Sequence, residues 1–166
     1  STSDEKSLDS NLLEAAESGN VDAARNALDQ GANPEAVDGR GMMPIHWAAL
    51  RGHKDIVISI LDKGADVNGR NSADWAPIMH ASMEGHLEIV EVLIDRGADI
   101  NALTNFSGTA LMFASGNGHA EIVKLLLSSG ADHTLRTDET EDEYGMTAAD
   151  YARRYGHPEI LELLPD

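Results

Sequence analysis

A local pattern recurs along this chain at a fixed spacing of 33 residues and constrains the fold more than any other feature. The pattern is a glycine followed by an apolar segment that ends in Gly-Ala, and four glycines share the spacing: Gly19, Gly52, Gly85 and Gly118. A fifth match, Gly156, comes 38 residues after Gly118. A unit of this length cannot bury its own apolar face, so its copies must stack on one another. The spacing therefore predicts one elongated domain with a continuous core.

Each unit reads as two short helices followed by a turn-rich connection. In the second unit a first helix is predicted over residues 44–51, where Pro44 suits the first helical position and Gly52 ends the helix. A second helix is predicted over residues 55–63, with one apolar stripe formed by Ile56, Val57, Ile60 and Leu61. Helices this short are marginal in water on their own, so stacking must stabilise them.

Three units carry a common series of residues around the first helix. Starting at Met43, Ala76 and Thr109, they read Met-Pro-Ile-His-Trp-Ala-Ala, Ala-Pro-Ile-Met-His-Ala-Ser and Thr-Ala-Leu-Met-Phe-Ala-Ser, and each then reaches Gly-His. This order resembles the Thr-Pro-Leu-His, double-alanine and Gly-His signature of the ankyrin repeat family. The resemblance implies an all-α repeat solenoid, an ankyrin repeat array of stacked helix pairs with β-hairpin fingers. Because no unit carries the whole Thr-Pro-Leu-His tetrad, some hydrogen bonds at the helix starts are expected to be missing.

The resemblance implies five repeats in a single domain over residues 1–166. Their predicted bounds are 5–37, 38–70, 71–103, 104–136 and 142–166, with an acidic insertion at 137–141 and fingers at 38–41, 71–74, 104–107 and 142–145. The first and last repeats are expected to cap the array, and the second helix of the last repeat is expected to finish with Ile160, Leu161, Leu163 and Leu164. The insertion is interpreted as a solvated loop, with a docking loop for a basic partner as the alternative.

Composition narrows the function classes. A formal net charge of -17 disfavours nucleic acids and anionic membrane surfaces as partners. The absence of cysteine excludes disulfides, thiol catalysis and cysteine-based zinc sites. No apolar run approaches the ~18 residues of a membrane span, so no membrane insertion is expected. Cytoplasmic residence is the default expectation, with nuclear residence or export after removal of a signal left open.

The histidines do not indicate a catalytic or metal site. Four of them directly follow the helix-ending glycine, and the resemblance implies a structural role for each: His53, His86, His119 and His157. Successive copies lie on successive repeats, so they cannot converge on one zinc ion. With no nucleophile triad and no phosphate-binding loop, we expect a non-catalytic protein without a metal or cofactor. The less favoured alternative is a small-ligand or enzymatic site around His80, Trp47 and Phe113.

The resemblance places partner binding on the fingers and on the ends of the first helices, which line a concave face. The residues expected to bind a partner there are Arg40, Met42, Leu50, Arg51, Trp75, Met83, Asn105, Phe106, Tyr144, Met146, Arg154 and Tyr155. Aromatic residues, methionine and arginine are enriched at interface centres, so this set predicts a protein or peptide partner. Two alternatives stay open: Trp75 or Phe106 folds back on a neighbouring finger, or the apolar tips bury one another in a homodimer. A monomer is the expected state.

Overall fold

The computed structural model describes residues 7–141 and 143–165. Ten helices lie in this part of the chain: α1 Leu8–Ser18, α2 Val21–Asp29, α3 Pro44–Arg51, α4 Lys54–Asp62, α5 Pro77–Glu84, α6 Leu87–Asp95, α7 Ala110–Gly116, α8 Ala120–Ser128, α9 Ala148–Arg154 and α10 Pro158–Leu161. The same residues contain no strand. The predicted all-α repeat fold is therefore confirmed.

The helices form two layers, one of odd-numbered and one of even-numbered helices. Odd-numbered helices pack more closely on one another than even-numbered helices do. Fully buried alanines at equivalent positions of α3, α5, α7 and α9 permit this close approach, namely Ala48, Ala81, Ala114 and Ala152. Because one layer is more tightly spaced, the stack curves toward it. The odd-numbered helices therefore line the concave side.

Histidines join each repeat to the one before it. Gly52 ends α3 at φ 84°, a conformation that strains other residues, and a Cβ added there would lie 2.8 Å from the ring of His86. The ring Nε2 of three histidines bonds a backbone carbonyl of the preceding repeat: His53 to Glu17 at 3.2 Å, His86 to Leu50 at 3.0 Å and His119 to Met83 at 2.8 Å. The structural role predicted for these three histidines is confirmed. The ring of His157 lies against Gly118 in the same way.

Two asparagines join successive repeats at the connections that follow the even-numbered helices. Asn101 Oδ1 accepts the N–H of Asp132 at 2.8 Å, and Asn101 Nδ2 donates to the Gly130 carbonyl at 3.1 Å. Asn68 makes the equivalent pair of bonds one repeat earlier. Each amide side chain thus satisfies one donor and one acceptor of the following repeat, which fixes the spacing between repeats.

The helix starts differ as the incomplete tetrads predict. Thr109 Oγ1 accepts the N–H of Met112 at 3.2 Å and caps α7. Met43 and Ala76 precede α3 and α5 without a side-chain oxygen that could accept such a bond. His46 compensates in α3, since its Nδ1 accepts the Met43 N–H at 3.2 Å while its Nε2 bonds the Gly69 carbonyl at 2.8 Å.

The helix bounds agree with the sequence except at the last repeat. The predicted helix over residues 44–51 coincides with α3, and the one predicted over 55–63 lies one residue earlier as α4. The expectation that the final helix runs to Leu164 is wrong, because α10 ends at Leu161. The chain then turns, with the N–H groups of Leu163 and Leu164 both bonded to the Ile160 carbonyl at 3.0 and 3.3 Å. The single domain and the bounds of the five repeats stay predictions, and Asp142 lies outside the described residues.

The predicted β-hairpin fingers are tight loops rather than paired strands. In the loop at residues 38–42, the Asp38 N–H donates to the Met42 carbonyl at 3.0 Å. Asp38 Oδ1 accepts the N–H groups of Arg40 and Met42 at 2.8 and 3.0 Å. Because a side-chain oxygen satisfies these amides, no strand ladder extends from the loop. Later loops use side-chain oxygens at the equivalent positions, those of Asn71, Thr104 and Thr137.

The fourth loop contains the inserted residues. It closes with the Thr137 N–H donating to the Met146 carbonyl at 2.9 Å, the same pairing that joins Asp38 to Met42 in the first loop. The inserted residues therefore fall inside the loop, between Thr137 and Met146, rather than before it at residues 137–141.

Candidate protein-binding surface

The concave surface consists of the exposed sides of the odd-numbered helices and the tips of four loops, at residues 38–42, 71–75, 104–108 and 137–146. Hydrogen bonds connect neighbouring loops. The N–H of Ser72 donates to the Gly41 carbonyl at 3.1 Å, and the N–H of Asp138 donates to the Phe106 carbonyl at 2.9 Å. Arg70 Nη1 reaches the Leu103 carbonyl at 2.6 Å. The loops therefore form one continuous edge of the surface.

Arginines cover the ring of Trp47 near the first loop. Trp47 is only 5% exposed, and its Nε1–H donates to Asp38 Oδ2 at 2.7 Å. Burial alone would raise the pKa of Asp38, but hydrogen bonds from the Met42 amide and the Trp47 indole hold this pKa below its usual value. The guanidinium groups of Arg40 and Arg51 lie 5.7 and 5.6 Å from the ring centroid, within the range of cation–π contacts.

An aromatic cluster occupies the middle of the concave surface. Trp75 stacks on Phe113 with ring centroids 4.4 Å apart and an interplanar angle of 18°. Its ring also lies 5.0 Å from that of His80, and Phe106 meets Phe113 edge-on at 6.2 Å. Trp75 therefore folds onto the first helix of the next repeat. Its ring is half-buried in that contact.

The residues predicted to bind a partner differ widely in exposure. Large aromatic surface is offered by Phe106 at 38%, Tyr155 at 57% and Tyr144 at 86%. Four charged or polar members are exposed, namely Arg40, Arg51, Asn105 and Arg154. Four others are half-buried, namely Leu50, Met83, Trp75 and Met146. The expectation that Met42 projects from a loop tip is wrong: it is 8% exposed, with its sulfur 3.2 Å from Asn71 Nδ2.

The alternative site around His80, Trp47 and Phe113 has little accessible surface. His80 is 7% exposed, and its Nε2 accepts from Asn71 Nδ2 at 3.2 Å while its Nδ1 has no partner. Burial, assisted by His46, lowers the pKa of His80 to about 3. Burial also lowers the pKa of His46. No group of His, Asp and Glu residues within the described ranges could hold a metal ion.

A cleft that sequence reasoning missed lies between α7 and α9. It measures about 250 Å³ and is lined by Met112, Phe113, Gly116, Asn117, Tyr151 and Tyr155. Gly116 occupies the position that Leu50 and Met83 hold in earlier repeats, so the cleft is the space of a missing side chain. The signal was present in the repeat register, since small residues are not expected where equivalent helices carry Leu and Met.

Comparison with protein families agrees with this architecture. The family model described as ankyrin repeats (3 copies) matches residues 12–104 and again residues 101–166. This chain belongs to the ankyrin repeat family. No curated protein matches it. Ankyrin repeats generally mediate protein–protein interactions and are generally non-catalytic.

The ankyrin repeat array uses most of its own cations internally. Three ion pairs join neighbouring repeats or adjacent elements at short distance, namely Lys54–Glu88 at 3.0 Å, Arg96–Asp62 at 2.9 Å and Arg154–Glu143 at 2.8 Å. These pairs are exposed, so each contributes little to stability. They leave a large excess of acidic charge, consistent with the net charge of -17. In the part of the chain that the structure describes, no helix is both long and apolar enough to cross a membrane.

Proposed function

We propose that this ankyrin repeat array binds a protein or peptide on its concave surface without catalysing a reaction, as an adaptor, inhibitor or targeting module. One observation carries the proposal. All three of the described aromatic side chains with large exposed surface, Phe106, Tyr144 and Tyr155, lie on the concave side. Exposed aromatic residues grouped on one face are typical of interfaces rather than of solvated surface.

The hydrogen-bonded loops support the same function. Because the Gly41 and Phe106 carbonyls bond the next loop, the loop tips hold their positions before a partner arrives. A pre-ordered surface loses little conformational entropy on binding. The excess negative charge disfavours phosphate backbones and leaves proteins as the partner class.

The experiment is affinity capture from the source cell with the wild type beside a double variant, Phe106→Ala/Tyr144→Ala. Both side chains are exposed at loop tips, so their truncation should leave the helical circular dichroism and the melting temperature nearly unchanged. Trp75 is left intact because its stacking on Phe113 contributes to packing. We expect the variant to lose the partner that the wild type captures.

The matched control truncates two exposed residues of the even-numbered helices, Glu91→Ala/Lys124→Ala, and should capture the partner as the wild type does. Equal capture by the loop-tip variant would contradict the proposal. Sedimentation over a wide protein concentration range tests the predicted monomer, and a dimer abolished by the loop-tip variant would assign the surface to self-association. Imaging of the tagged protein tests the predicted cytoplasmic residence.

A further inference from the structure

The cleft at Gly116 exposes aromatic faces that the equivalent part of the second repeat keeps covered. Trp47, Phe113 and Tyr151 occupy the same position in successive first helices. Both cation–ring contacts within the described residues involve Trp47, which lies under Arg40 and Arg51. Phe113 and Tyr151 carry no such cation, although they border an open cleft.

The walls of the cleft suit a cation with an apolar stem. Tyr151 and Tyr155 are nearly parallel, with an interplanar angle of 19° and centroids 6.3 Å apart. Burial raises the pKa of the Tyr151 phenol, so this ring is neutral at physiological pH and its face attracts cations. Met112 provides an apolar floor, as a methylene chain requires.

The rim of the cleft adds an acceptor. Asn117 Nδ2 donates to the Phe113 carbonyl at 2.8 Å, which leaves Asn117 Oδ1 available to a donor. The nearest arginine on α9, Arg154, is already paired with Glu143 at 2.8 Å. One repeat upstream, Glu84 occupies the position equivalent to Asn117 and is exposed. A protein of net charge -17 further attracts basic segments.

We propose that the cleft at Gly116 receives an arginine side chain from a basic segment of the partner. The proposal rests on the proposed function, of which it specifies the partner chemistry. Arginine is favoured over lysine because a planar, weakly hydrated guanidinium stacks on aromatic faces, as Arg40 and Arg51 do on Trp47.

The test titrates the whole chain with three blocked tripeptides, acetyl-Gly-Arg-Gly-amide and its Lys and Leu counterparts, and follows amide and aromatic NMR signals. We expect the Arg peptide to shift the amides of Gly116 and Asn117 and the rings of Tyr151 and Tyr155. Its dissociation constant should be at least about threefold lower than that of the Leu peptide, the factor that an exposed cation–π contact provides.

The variant Gly116→Met fills the cleft with the side chain that Met83 supplies one repeat earlier. It should fold, because a Cβ at Gly116 comes no closer than 3.5 Å to Tyr151 and Tyr155. We expect it to weaken binding of the Arg peptide about tenfold or more, since the space between the rings is lost. The matched control, Leu50→Met, changes the equivalent position of the second repeat and should bind as the wild type does.

Four results would overturn the inference: no shifts at the cleft, unchanged shifts in Gly116→Met, a Leu peptide that binds as tightly as the Arg peptide, or a Lys peptide that does so. The result also separates the two proposals. If the loop-tip variant loses the captured partner but Gly116→Met retains it, the proposed function stands and the arginine site fails. If the Arg peptide binds at the cleft but capture is insensitive to both variants, the site stands and the proposed function fails.

Discussion

His80 should make the stability of this protein depend on pH. The side chain is 7% exposed, and its Nδ1 is buried without a hydrogen-bond partner. Burial, with a smaller contribution from the nearby His46, lowers the pKa of His80 from 6.5 to about 3. The folded protein therefore keeps His80 neutral at a pH where the unfolded chain protonates it.

The sign and size of the effect follow from this difference. Between pH 6.5 and about pH 3 the unfolded state binds one more proton at His80, so stability falls as the pH is lowered through this window. Above it, His80 is neutral in both states and contributes no slope. One pKa unit corresponds to about 1.4 kcal/mol, so acidification from about pH 7.5 to about pH 4.5 should remove about 2–3 kcal/mol through His80 alone.

Two substitutions separate titration from packing. His80→Phe introduces the ring that Phe113 provides at the equivalent position, and His80→Gln keeps an acceptor for Asn71. Neither side chain titrates, so urea unfolding followed by circular dichroism should show both variants losing about 2–3 kcal/mol less than the wild type on acidification. Their stabilities near pH 7.5 are expected to differ from each other because packing differs. If both variants lost stability as steeply as the wild type, the reasoning about His80 would be refuted.

Two further predictions concern polar groups that weaken or hold the stack. Ser82→Ala and Ser115→Ala remove buried hydroxyls without hydrogen-bond partners, so each should raise the free energy of unfolding by about 1 kcal/mol in urea titrations; Ser128→Ala, whose hydroxyl donates to the Leu125 carbonyl at 2.9 Å, is the control and should give no gain. Asn101→Ala removes two bonds between repeats and should cost about 1–3 kcal/mol and accelerate hydrogen exchange at the Asp132 amide. Thr134→Ala changes the equivalent residue of the next repeat, which bonds only within its own turn, so an equal loss there would contradict the role assigned to Asn101.

The repeat register was enough to predict the helices and the packing of their ends. Each helix-ending glycine and the histidine 34 residues after it form one contact, as in Gly52 with His86. Since the spacing repeats, a single correct assignment places every equivalent residue. The register failed at the chain end, where α10 stops at Leu161, because no following repeat pairs with that helix and prolongs it.

The candidate surface was less predictable because side-chain direction at a loop tip depends on neighbouring loops. Met42 and Phe106 both lie at loop tips in the sequence, but Met42 turns inward onto Asn71 while Phe106 remains 38% exposed. Trp75 was expected at the surface, yet the ring of Phe113 in the next repeat offers it a stacking partner. Sequence spacing places such residues on the correct edge but does not determine which of them packs inward.

Gly116 shows how stability and binding can be opposed at one position. It is the last residue of α7, and its φ is not positive, so the backbone there does not require glycine. Glycine in a helix costs up to about 1 kcal/mol relative to alanine, and here it also forgoes the packing that Leu50 and Met83 provide at the equivalent positions. A side chain would fit at ordinary contact distances from Tyr151 and Tyr155. The cost is therefore not imposed by the fold, and it is explained if the open space between these rings is used for binding, so filling the cleft should stabilise the array while removing the site.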